Sequence, residues 1–423
     1  MDGIVINRHR DVDLTFSAPP SKSYTHRALF CAALADGISI IENPLYSGDT
    51  EVTCRALGQL GVRTERTADG IIVDGCGGVM PPGGDVTIDC EGSGTSLRFL
   101  ATFALLYPGR VTLTGSERMK ERPVGELAGA LRDIGGDIRF TERPGYPPVE
   151  ISGKLSGGSV SIDASKSSQF ISSMLIPAPY AEYPVDIIPE GHIASESYLE
   201  ITVDVMEKFG ATVERMPDGG FHVPSGAYVP RDYRVEGDYS SASYLFAIAA
   251  ICGGTVTVKN LNPDSVQGDT AFAGALASMG CRVTKDAGSV TVTRKGPLSG
   301  VDIDMSSSPD TVQTLAAVAA FADSPTRITG VSHLIYKESD RIGAIGRMVE
   351  GCGAGFEYND NEGEIVITPG KIHGFVLDPV DDHRTAMSGA VIGLGAGGVT
   401  IKDPECVGKS YPGFWDDLRR AGL

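Results

Sequence analysis

A chain of 423 residues, 41% hydrophobic and 21% charged, has an ordinary globular composition and the length of two or three domains. Its formal net charge of −18 argues against nucleic-acid and anionic-membrane partners, although a strongly acidic protein can still hold one basic pocket. No run approaches the roughly 18 apolar residues of a membrane span. The opening MDGIVINRHRDVD has no basic segment ahead of an apolar one, so a cytoplasmic location is expected.

In chain order, Asp2-Gly3-Ile4-Val5-Ile6 reads as a short strand. SKSYTHRALFCAALADG follows as a helix that is apolar almost all round, hence buried, with a polar first turn. EVTCRALGQLGV then places apolar residues at i, i+3, i+4 and i+7 and ends on Gly61, an amphipathic helix with a glycine C-cap. GIIVDG reads as a strand after it. The same pair of helices returns five times. The buried kind recurs as SGTSLRFLATFALLYPG, SSQFISSMLIPAP, SSASYLFAIAAICGG, SPDTVQTLAAVAAFADS and DDHRTAMSGAVIGLGAGG. The amphipathic kind ends on Gly135, Gly210, Gly280, Gly353 and Gly422. A period of about 70 residues is long for a solenoid and suits compact copies of strand, buried helix, strand, amphipathic helix and strand pair.

The sixth copy stops at Leu423, before its final strands. Because Asp2–Ile6 mirrors Asp69-Gly70-Ile71-Ile72-Val73, residues 1 to about 17 are expected to complete it. The expected lobes are 20–233 and 1–17 plus 236–423, three repeats each. Two chain crossings would then form a hinge able to close around a ligand.

The polar first turns of the buried helices carry the candidate chemistry, since a helix N-terminus offers free N–H groups to an anion. The first turn has Lys22 and Ser23, with Arg27 one turn on; capping by Ser21 or Ser23 with solvated charges is the plainer reading. The second begins Gly92-Ser93-Gly94-Thr95, with Arg98 a turn later. The third begins Ser167-Ser168-Gln169, either ligand donors or caps. Ser308-Pro309-Asp310 resembles a capping sequence with proline at the first helical position, and Asp310 either complements the helix dipole or acts as a general base. Cations recur at corresponding places elsewhere: Arg118-Met119-Lys120-Glu121-Arg122-Pro123, Lys337-Glu338-Ser339-Asp340-Arg341, His383-Arg384 and Lys409. Each alone reads as a solvated salt-bridge loop. Their recurrence in a chain short of cations points to a shared anion site if the lobes face each other.

These motifs, over essentially the whole chain, resemble the 5-enolpyruvylshikimate-3-phosphate synthase family (3-phosphoshikimate 1-carboxyvinyltransferases). The resemblance implies a two-lobed inside-out α/β barrel of six βαβαββ repeats. It also implies transfer of the enolpyruvyl group of phosphoenolpyruvate to the 5-hydroxyl of shikimate 3-phosphate, without a metal or organic cofactor, by a chain that is commonly monomeric. By position, Lys22, Ser23, Arg27, Ser167, Ser168, Gln169, Ser195, Tyr198, Asp310, His333 and Lys337 would hold shikimate 3-phosphate. Lys22, Gly94, Thr95, Arg122, Gln169, Arg341, His383, Arg384 and Lys409 would hold phosphoenolpyruvate. Asp310 would be the base toward the hydroxyl, and Glu338, assisted by Lys22, would move the methylene proton. Gly92, His333 and Pro20 depart from the residues usual in the family (Asn, Asn and Gly), which leaves one substrate contact and the glycine turn open.

Three rival readings are weaker. The enolpyruvyl transferase acting on UDP-N-acetylglucosamine shares the fold but uses a cysteine in the loop matching Arg118–Pro123, and none stands there. A relative of RNA 3′-terminal phosphate cyclase would need a basic tract. A non-catalytic scaffold leaves Asp310, Glu338 and the shared cations unexplained. None of the eight cysteines forms a Cys-x-x-Cys pair, so reduced, buried thiols are expected instead of a zinc site or a disulfide framework.

Overall fold

The computed structural model describes residues 3–423; Asp2, part of the mirrored strand, lies outside them. The chain forms two compact units. The central one is Pro20–Val235, and the flanking one joins the stretch ending at Pro19 to Glu236–Leu423. Each has its own apolar core.

The repeat is visible in the sheets. Among the described residues there are six, and five of them share one strand order: first, second, fourth, third. In the third sheet, Gly158–Asp163 pairs in parallel with Val185–Glu190. Val185–Ile187 pairs antiparallel with Phe221–Val223, which in turn carries Glu214–Arg215. A parallel neighbour needs a crossover, and the buried Gln169–Leu175 helix supplies it. The amphipathic Ser197–Lys208 helix connects the second strand to the third and buries only one side, including Leu199, Thr202 and Val205. The fold is therefore α/β with six βαβαββ repeats, three sheets in each unit.

Three buried helices run through each unit: Lys22–Leu34, Gly94–Phe103 and Gln169–Leu175 in the central one. Tyr239–Cys252, Val312–Ala319 and His383–Ala396 do so in the flanking one. In the central core, Phe30 meets Phe99 and Phe103 edge-on, with ring centroids 5.6 and 5.4 Å apart. All six glycines expected to end the amphipathic helices have positive φ, from 79 to 108°, where a Cβ would be strained.

Two expectations need correction. The N-terminal segment does not go wholly to the sixth repeat. Ile4–Ile6 pairs antiparallel with Val399–Ile401 of the sixth sheet, but Val12–Ser17 pairs in parallel with Gly254–Lys259 and is the first strand of the fourth. The central unit mirrors this arrangement: its first sheet takes its first strand from Asp232–Arg234, which crosses the expected boundary at 233. The second correction concerns Ser308-Pro309-Asp310. Pro309–Thr311 forms a separate 3₁₀ turn, the helix starts only at Val312, and Ser308 spends its hydroxyl on the Gly268 carbonyl at 2.6 Å instead of capping.

Candidate active site

The helix starts differ in how they are capped, and that decides which side chains remain for chemistry. Ser21 caps the Lys22 helix and Ser93 the Gly94 helix, so the plainer reading holds for the caps themselves. Lys22, one position further on, reaches Asp49 of the neighbouring Gly48–Gln59 helix at 2.9 Å.

Arg27 is fully buried, and every hydrogen-bond partner it has is neutral. Its Nε donates to Thr202 Oγ1 at 2.8 Å, Nη1 to the Ser23 carbonyl at 3.0 Å, and Nη2 to the Tyr198 carbonyl at 3.1 Å and Ser172 Oγ at 3.4 Å. Phe99 lies under the guanidinium, 5.2 Å away. Burial lowers its pKa to about 10, against partial support from Tyr198 and other weakly acidic groups. This charge is placed at a desolvation cost that no carboxylate offsets.

The next two helix starts are tied together. Gln169 donates from Nε2 to Thr95 Oγ1 at 3.0 Å and accepts at Oε1 from Arg98 at 3.2 Å. A Cβ on Gly94 would stand 2.5 Å from Arg122 Nη1 and 2.6 Å from Arg98 Nη1, so two guanidiniums crowd against the backbone here and a side chain would have to displace them. Of the three cations in the Arg118–Arg122 segment only Arg122 is buried. Arg118 and Lys120 sit in surface ion pairs with Glu121, Glu117 and Glu142. Ser168 is buried without capping its helix, while Ser167 Oγ accepts the Gln169 amide at 3.2 Å. Ser195 is buried in a left-handed conformation, φ 59°, and its carbonyl accepts the Tyr198 amide at 3.1 Å.

In the flanking unit the acidic and basic candidates meet in one network. Asp310 Oδ1 accepts from Arg341 Nη1 and Oδ2 from Arg384 Nη2, both at 2.7 Å. Glu338 accepts from Arg341 Nη2 at 2.6 Å. Burial alone would raise the Asp310 carboxyl; Arg384, Arg341 and Lys337 outweigh it and hold it well below the usual range. Burial likewise opposes the charge on Arg341, but Glu338, Asp382 and Asp310 keep it firmly protonated. Arg384 also donates to Ser240 Oγ at 3.1 Å and to the Asp310 carbonyl at 3.1 Å. His333 lies buried in the Ser332–Tyr336 turn, which Lys337 ends, and His383 is buried at the first position of its helix. Lys409 pairs with the exposed Asp381 at 3.1 Å.

Two supporting residues were given no role from the sequence. Asp49 fixes Lys22. Asp382, fully buried, caps its helix through the Arg384 amide at 2.9 Å and accepts from Ser339 Oγ at 2.8 Å and Arg341 Nε at 3.2 Å. Its place just before a buried helix was the available signal.

Known proteins resemble the chain along nearly its whole length. Residues 6–418 match the family model described as EPSP synthase (3-phosphoshikimate 1-carboxyvinyltransferase). A 3-phosphoshikimate 1-carboxyvinyltransferase of Methanoculleus marisnigri is 59% identical over 413 residues, 97% of each chain. One from Vibrio atlanticus is 38% identical, with full coverage of both chains. Among solved structures, an EPSP synthase from Acinetobacter baumannii superposes with a TM-score of 0.82 at 26% identity, covering 99% of this chain and 98% of that one. Sequence, fold and helix-start chemistry lead to one conclusion: the chain belongs to the EPSP synthase family.

Proposed function

We propose that this protein transfers the enolpyruvyl group of phosphoenolpyruvate to the 5-hydroxyl of shikimate 3-phosphate and releases inorganic phosphate, a step of aromatic amino acid biosynthesis. The observation that carries the reading is Arg27, a buried guanidinium with only neutral partners. Such a charge is best explained by an anionic substrate group, and both substrates carry a phosphate and a carboxylate.

In this reading Lys22, Ser23, Arg27, Ser167, Ser168, Gln169, Ser195, Tyr198, Asp310, His333 and Lys337 hold shikimate 3-phosphate. Lys22, Gly94, Thr95, Arg122, Gln169, Arg341, His383, Arg384 and Lys409 hold phosphoenolpyruvate. The hydroxyl oxygen bonds to C2 of phosphoenolpyruvate and gives its proton to Asp310. The C3 methylene gains a proton from Glu338, helped by Lys22, to form a tetrahedral intermediate. Return of a C3 proton to Glu338 expels phosphate, whose growing charge falls to Lys22, Arg122, Arg384 and Lys409. An anion that engages Arg341 and Arg384 would also loosen their hold on Asp310 and raise its basicity when the base is needed.

The test is phosphate release with both substrates supplied. Release that requires shikimate 3-phosphate is expected. No release, or equal release with UDP-N-acetylglucosamine in its place, would overturn the reading. Asp310→Ala and Glu338→Ala should lose kcat far more than substrate affinity.

A further inference from the structure

Away from the helix starts just described, the flanking unit has a second concentration of positive charge. A cavity of about 380 Å³ opens at the C-terminal ends of the Tyr239 and His383 helices, lined among others by Arg8, Arg10, Arg294, Ile251 and Phe321. It is roughly 16 Å along the His383 helix from Arg384, taking Gly395 of the lining as the other end.

The three arginines are not used up by the protein. Among the described residues none forms an ion pair, and Asp11, the acidic member of the lining, is not within ion-pair distance of them. Arg294 is held in place by the Gly296 carbonyl at 2.9 Å and the Ile251 carbonyl at 3.2 Å, while its Nε is buried with no hydrogen-bond partner. Complementing the two helix C-termini accounts for two such cations; it leaves the third, and the hollow they surround, unexplained. In a chain of net charge −18, three guanidiniums share this hollow with a single carboxylate, Asp11, that pairs with none of them, so the lining is left with a surplus of positive charge. Ile251 and Phe321 add an apolar floor, and the volume falls at the small end of the range for organic ligands, roughly 300–1,000 Å³.

We propose that this cavity is a second anion site, separate from the site of the reaction, for a small molecule bearing at least two phosphate or carboxylate groups. Its occupant would bridge the segment between the strands Ile4–Ile6 and Val12–Ser17 to the ends of two core helices. That segment is already anchored there: the His9 amide donates to the Leu394 carbonyl at 2.7 Å and the Asp11 amide to the Cys252 carbonyl at 3.1 Å.

Hydrogen exchange of the full chain reads the site locally. Inorganic pyrophosphate and citrate are added in parallel arms at constant ionic strength, which removes general screening. At least one should slow exchange of the His9 and Asp11 amides about tenfold. Slowing by pyrophosphate alone assigns a phosphate ligand, by citrate alone a carboxylate ligand, and by both a site for either. The variant R8A/R10A changes exposed side chains and should fold; it should lose the slowing while phosphate release in turnover stays unchanged. No slowing in either arm, or undiminished slowing in R8A/R10A, overturns the proposal.

Discussion

Arg341 and Arg384 are buried cations that share one carboxylate, and this sharing controls what Asp310 can do. A carboxyl so strongly favoured in its charged form is ionised throughout the working pH range but is a poor proton acceptor until the guanidiniums find another anion. Its stability contribution follows from the sign of the shift. A depressed folded pKa stabilises fully above the unfolded value of about 3.9 and is lost as pH falls from there through the folded value. Asp310→Asn should therefore cost about 3–5 kcal/mol at neutral pH by leaving two buried cations short of a partner. In urea unfolding, the gap to the parent should be constant from pH 7 to 5 and narrow below about 4. A gap that does not narrow would mean that Asp310 acts through shape alone. Asp310 and Arg384 were legible in the sequence as polar residues opening apolar helices, and Glu338 and Arg341 as a charged turn outside them. Their pairing was not, because Arg341 and Arg384 lie 31 and 74 positions from Asp310 and only the fold joins them.

At the scale of elements, helices and glycine caps were readable because their periodicity is local, whereas strand partnership is not. Val12–Ser17 alternates like any half-buried strand, and nothing in it states whether it lies against Gly254–Lys259 or Val399–Ile401. Ile4–Ile6 is better specified, since its alternation places Ile6 in the core and leaves Val5 58% exposed. Gly393 of the His383 helix is shaped to this contact, as a Cβ there would meet Ile6 Cβ at 2.6 Å. Ile6→Ala should thus destabilise by about 2–4 kcal/mol, the usual cost of truncating a buried aliphatic chain. Val5→Ala should change stability by less than about 0.5 kcal/mol. Urea unfolding of both variants distinguishes a sixth sheet that depends on the N-terminal strand from one to which the strand merely adds an edge; equal midpoints would show the latter.

For the molecule as a whole, two effects pull stability in opposite directions as pH falls. Protonating carboxylates relieves the self-repulsion of a net charge of −18 and favours the compact state. Against this stands His26, fully buried in the central unit, with Nδ1 2.8 Å from Thr53 Oγ1 and Nε2 without a hydrogen-bond partner. Burial first, then the charges of Lys22 and Arg27, push its pKa well below the usual histidine value, so it is neutral in the folded chain. The unfolded chain binds that proton near pH 6.5, and folding must then exclude it. Stability from this group is complete above about 6.5 and falls by up to about 1.4 kcal/mol per pH unit below it. The repulsion term is spread over the surface and screened by salt, whereas the buried histidine is scarcely screened. At high salt, unfolding free energy should therefore fall between pH 6.5 and 5.5, and His26→Gln should flatten that slope even though it lowers stability at pH 7.5. An unchanged slope in His26→Gln would assign the acid sensitivity to other groups, and a slope that appears only at low salt would assign it to the surface.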